Sequence, residues 1–138
     1  MTPLRKELTL ALEETKKEFY PSQRSCRRWF RILNVLLFTN KLLEPERFEI
    51  GLRRGAWAYF TGNYETDTQK CYLTETRYLI NYKFKSMNHF LNILAHEMVH
   101  HYQHMENDYG VNFSHHGKSF WKWKHKFEKF GLKLSRKG

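Results

Sequence analysis

The sequence predicts an α+β fold: helices first, then a small, mainly antiparallel three-stranded sheet, then helices again. Three observations predict it. Apolar residues recur at helical spacing near the N-terminus and again after Ser86, whereas apolar-polar alternation is confined to the middle of the chain, from Phe48 onward. A composition that is 41% hydrophobic and 17% aromatic can also fill a core. At 138 residues the chain is expected to form one domain, residues 1–138, with a basic tail from about 132 to 138.

Taken in order, Thr2-Pro3 reads as a cap and a first helical position, after which Leu4, Leu8, Leu12 and Phe19 share one helical face. Pro21 is expected to end that helix. A second opens near Ser22 and runs through Trp29, Ile32, Leu33, Leu36 and Leu37 to about Thr39. Its arginines (Arg24, Arg27, Arg28, Arg31) read as a solvated face. Phe48, Ile50 and Leu52 form one strand pattern, residues 56–60 a second and residues 71–74 a third, with residues 62–67 as the polar turn between the last two. Ser86 then caps a long helix through Met87, Phe90, Ile93, Leu94, Met98 and Met105, with Gly110 just past its end. A last helix is expected from Ser119 to Phe130, stopped by Gly131, with Phe120, Trp123, Phe127 and Phe130 on its apolar stripe.

The two cysteines, Cys26 and Cys71, form neither a disulfide framework nor a cysteine zinc ribbon and read as buried thiols. The N-terminus is too charged for a signal peptide, and no apolar run approaches membrane length. A soluble monomer without a membrane partner is expected, located inside the cell in the cytoplasm, nucleoid or nucleus.

The feature that carries chemistry is His96-Glu97-Met98-Val99-His100 inside the long helix. Helical residues four apart are offset by about 40° and separated by about 6 Å along the axis. Their imidazoles can therefore share one Zn²⁺ at about 2.0–2.1 Å. Glu97, one position past the first ligand, can face water on the metal and act as general base. Two helical ligands leave a catalytic site one short. His101 lies about 100° from His100 and should face away, and His104 is about 12 Å along the axis from His96. Position 106 is Glu and position 103 is not Gly, so the metzincin spacing is absent. His115 and His116 remain as candidates, on the approach to the last helix.

The run Leu94-Ala95-His96-Glu97-Met98-Val99-His100, paired with His116-Gly117-Lys118-Ser119-Phe120, resembles the SprT-like zinc metallopeptidase family, whose members include a DNA–protein crosslink protease. The likeness spans roughly residues 25–131. Leu33-Asn34, Phe38, Asn40 and Leu43 resemble the family's passage from helix to strand. Residues 56–60 and Tyr72-Leu73 resemble its two strands before the active-site helix. HExxH alone is generic, but the H-G-x-x-[FW] segment is far more specific. The resemblance implies a zincin-like fold, His116 as third zinc ligand and a protein substrate, including protein bound or crosslinked to DNA. Many members carry a further cysteine-rich zinc module, which these two cysteines cannot supply.

Charge points to a second partner. The chain carries +10, and residues 117–138 alone hold eight Lys or Arg against one Glu. Lys118, Trp121, Lys122, Trp123, Lys124, Lys126 and Lys129 interleave aromatic and basic residues, the pattern that holds single-stranded nucleic acid by stacking and phosphate pairing. Trp121 falls off the apolar stripe. The pattern alone fits equally a core of Trp123, Phe127 and Phe130 with lysines solvating the outer face; with the family resemblance added, Lys118, Trp121, Lys122, Lys126 and Lys129 are the expected DNA contacts, with single strands favoured. The rival expectation is a non-catalytic basic nucleic-acid-binding protein with a structural zinc. Intact Glu97 argues against it, because a structural site needs no such carboxylate. A zinc hydrolase acting on another bond is a third reading.

Overall fold

The computed structural model describes residues 2–66, 71–105 and 116–135, without the side chains of residues 63–66 and 71–74. The first helix, α1 (Pro3–Leu12), begins as expected, with the Thr2 hydroxyl accepting from the Arg5 N–H. It stops well before Pro21. The Glu14 carboxylate accepts from the N–H groups of Lys16 and Lys17, and Phe19 exchanges backbone hydrogen bonds with Phe84 at 3.1 and 2.8 Å. Phe19 keeps its apolar role against Phe90 without being helical, because these partners satisfy the backbone another way.

Helix α2 (Gln23–Phe38) has a reciprocal cap between Ser22 and Ser25 and ends on left-handed Thr39. Buried Asn34 then grips the outgoing chain: its amide donates to the Leu42 carbonyl, and its side-chain oxygen accepts the Leu42 N–H. Leu42 is buried there, and Leu43 is exposed. On the outer face Arg27 and Arg31 share Glu44 while Arg28 pairs with Glu7, a solvated and ion-paired surface.

The sheet comprises β1 (Arg47–Gly51), β2 (Ala58–Thr66) and β3 (Cys71–Asn81), in the order β1-β3-β2. The β2/β3 hairpin is antiparallel, as expected, but β1 joins β3 in parallel. Two expectations are corrected. Leu52 lies outside β1 and is exposed, and residues 62–66 continue β2 where a polar turn was expected. Cross-strand partners supply the backbone hydrogen bonds of this polar stretch, which the side-chain pattern could not foretell. One face of the sheet is ionic, with Glu49 bridging Arg47 and Arg77. The other carries a row of rings, Phe48, Tyr78 and Phe60, with neighbouring centroids 5.4 Å apart.

Helix α3 (Met87–Met105) is capped by the Ser86 hydroxyl, which accepts from the His89 N–H. It touches α1, α2, β2, β3 and α4 (Lys118–Trp121), so twelve of its residues are buried, including polar ones. Its expected stop, Gly110, lies outside the described residues. The expected continuous last helix is two pieces, α4 and α5 (Lys124–Lys129). At the break the Trp123 N–H bonds to Phe120, three residues back, and its ring docks on Phe38 and Tyr102 at 4.6 and 4.9 Å. Gly131, at φ +80°, ends α5 as expected, with the Leu132 N–H reaching back to the Phe127 carbonyl. The start of the expected basic tail is packed. Leu132 and Leu134 are buried, and the Lys133 N–H donates to Asn92 on α3. No helix among the described residues is long and apolar enough to cross a membrane.

Candidate metal centre

A helix buried on nearly every side must do something with its polar residues. On α3 they gather at one point. His96 and His100, one turn apart, bring their Nε2 atoms to 3.1 Å. The turn ahead of α4 adds His116, so that one nitrogen from each of the three rings lies within 4.8 Å of the others. Two nitrogens on one tetrahedral ion at about 2.0–2.1 Å stand about 3.3 Å apart, so the helical pair already has nearly the spacing of shared ligands. Three neutral imidazoles are a donor set suited to a transition-metal dication. The residues present fit a metal ion.

Protonation agrees with that. Burial is the main force pushing the His96 imidazole down to about 3, followed by His100 and His116, with a backbone interaction at Ser135 acting the other way. It is therefore neutral at pH 7, as a ligand must be. Glu97 is 5% exposed, and its Oε2 lies 3.7 Å from the His96 Nε2, beside the cluster. Burial lifts its carboxyl to about 8, while the backbone N–H of Phe60 on β2 holds it partly down. A dication at the three imidazoles would favour the carboxylate again.

Two neighbours that sequence reasoning did not assign to the centre complete it. Phe120, fully buried, puts its ring 5.0 Å from His96, 5.3 Å from His100 and 4.8 Å from His116. It is an apolar wall common to all three imidazoles. Gln103, also fully buried, has its side-chain oxygen 2.7 Å from the His100 Nδ1, and its amide donates to the Ser119 hydroxyl at 2.8 Å. A polar residue three positions after His100 was the available signal for Gln103. For Phe120 the only signal was membership of the HGxxF segment.

The other histidines separate clearly. His101 does face away: its Nδ1 is 2.8 Å from the Tyr78 hydroxyl, its ring stacks on Phe60, and burial pushes it to about 3. His104 is outside the cluster but lines the same cleft, 5.2 Å from the Phe60 ring. His115 and Tyr109 lie outside the described residues, and Tyr102 packs against Phe38 and Trp123. The cleft, of about 380 Å³, has Ala56, Ala58, Tyr59 and Phe60 along one wall and His96, Glu97, His100, His104 and His116 along the other. An outer strand of the sheet thus runs beside the histidine cluster.

The expected DNA contacts are spread over α4, its C-terminal cap and α5. Lys118, Lys122 and Lys129 are exposed, and Trp121 is 36% exposed with its ring edge on Phe120. The Lys122 ammonium sits 5.5 Å over Tyr102 and that of half-buried Lys126 5.8 Å over Trp123. Comparison with protein-family models, curated proteins and solved structures found no match to this chain.

Proposed function

We propose that the chain is a zinc-dependent peptidase of the SprT-like type, with a zincin-like fold and α3 as its active-site helix. The observation that carries this reading is the convergence of His96, His100 and His116 with Glu97 beside them in an open cleft. Among the described residues three protein ligands leave a position over, the arrangement of catalytic zinc, whereas structural zinc sites are closed by four. Bound Zn²⁺ supplies Lewis acidity, lowering the pKa of water and polarising a carbonyl.

The chain's own residues do the rest. His96, His100 and His116 hold the ion as neutral imidazoles. Glu97 takes a proton from the attacking water and returns it to the departing amine. The Phe60 N–H fixes the Glu97 carboxylate, and Phe120 excludes water behind the ligands. An extended protein segment fits beside β2, the strand that lines the cleft. Single-stranded DNA is the second partner, with Trp121, Lys118, Lys122, Lys126 and Lys129 as its contacts. Support comes from an exposed indole within a strongly basic segment.

The test is metal content and cleavage of an unfolded substrate such as casein. Zinc-loaded parent should cleave it, and Glu97→Gln should keep one zinc per chain while losing at least about 10²-fold in rate. Parental cleavage by zinc-loaded Glu97→Gln would remove the mechanism.

A further inference from the structure

His100 and His116 come from different elements, and their joint placement needs a physical link. Gln103 supplies a polar one. Gln103 is fully buried between α3 and α4, its Oε1 2.7 Å from the His100 Nδ1 and its amide nitrogen 2.8 Å from the Ser119 hydroxyl. We infer that Gln103 is a positioning residue of the metal centre, which sets the tautomer and rotamer of His100 and ties the chain segment bearing His116 to α3. The inference rests on the proposed metal site and goes beyond it, since Gln103 holds no metal itself.

The chemistry is directional. With its amide donating to Ser119, the Gln103 oxygen accepts the Nδ1–H of His100. The Nε2 of His100 then carries the lone pair, and it is the atom that faces the His96 Nε2. An imidazole whose second nitrogen donates to an oxygen is also the more basic ligand. At its other end Gln103 holds Ser119, three residues after His116 in the chain and next to Phe120, which packs on all three rings. One buried amide therefore acts on the second ligand directly and on the third through the start of α4.

The test is zinc affinity, by competition with a chromophoric chelator, and the visible spectrum of the cobalt-substituted protein. Gln103→Ala should bind zinc about 10–100-fold more weakly. Gln103→Glu, whose carboxylate accepts from both Nδ1–H and the serine hydroxyl, should restore parental affinity and the parental cobalt spectrum. Ser119→Ala should weaken binding less than Gln103→Ala, and add little to it in the double variant. Melting of the chelator-treated proteins checks that each variant is folded. Parental zinc affinity in folded Gln103→Ala overturns the inference, as does a Gln103→Glu protein that binds no better than Gln103→Ala. If Gln103→Ala fails to fold, Ser119→Ala and Gln103→Glu decide, and an unchanged Ser119→Ala with a weakened Gln103→Glu sinks it. A parent that binds zinc but cleaves nothing would sink the peptidase reading and leave this comparison standing.

Discussion

Phe120 does two jobs that a pair of variants can separate. It is fully buried, so Phe120→Ala should cost about 3–5 kcal/mol in lost transfer energy and cavity. For 138 residues, at about 2.1 cal/mol/K per residue, the entropy of unfolding is about 0.29 kcal/mol/K. The melting temperature of the metal-free protein should therefore drop by about 10–17 °C. Phe127 on α5 is just as buried but has none of Phe120's ring contacts with the three histidines among the described residues. Phe127→Ala should melt earlier by a similar amount. Only Phe120→Ala should also weaken zinc binding, by about tenfold or more, because its ring fixes the three ligand rotamers. Calorimetry of the chelator-treated proteins gives the first quantity, and chelator competition at a temperature where both variants are folded gives the second. Equal zinc affinity in the two variants would refute the wall assigned to Phe120 and leave it a core residue only.

Three further outcomes are expected. His116→Ala should lose zinc sharply by elemental analysis while His104→Ala keeps most of it; the opposite result would move the third ligand along the helix. In chelator-treated protein, His96 and His101 are held down to about 3 and Glu97 is lifted to about 8. The unfolded chain binds the extra protons of the two histidines between about pH 3 and 6.5, and the native state binds that of Glu97 between about 4.5 and 8. The contribution of these groups to stability thus rises with pH to about 6.5 and then falls. Urea midpoints across that range should show the fall in the parent and lose it in Glu97→Gln; a decline that survives in Glu97→Gln would contradict the assignment. Finally, labelled single-stranded DNA should bind in an anisotropy assay with a steep salt dependence. Trp121→Ala should cost about 1–3 kcal/mol if a base stacks there, and neutralising Lys122, Lys126 and Lys129 should flatten the salt slope. Variants that bind like the parent would leave the α4–α5 face merely solvated.

Local chemistry made some elements legible. Caps at Thr2, Ser22 and Ser86 and the stop at Gly131 are short-range hydrogen-bond and φ requirements, and each stands where expected. Where a backbone group or a ring found its partner far away in sequence, the pattern misled. Phe19 left the helix for Phe84, residues 62–66 became strand by pairing with β3, and Trp123 broke the last helix by docking on Phe38. The parallel pairing of β1 with β3 was equally hidden, since alternation marks a strand's faces and not its direction.

The site divides along the same line. By itself the sequence determined that His96, Glu97 and His100 occupy neighbouring positions on one helix, because a helix converts spacing directly into geometry. It also singled out His116, through a motif. Only the tertiary structure decided that His116 meets the other two, that His101 turns inward to Tyr78, that Phe120 packs on all three rings of the cluster, and that Gln103 reaches from His100 to Ser119. Those relations depend on how α4 and β2 pack on α3, and packing is set by contacts between residues distant in the chain, which no local spacing encodes.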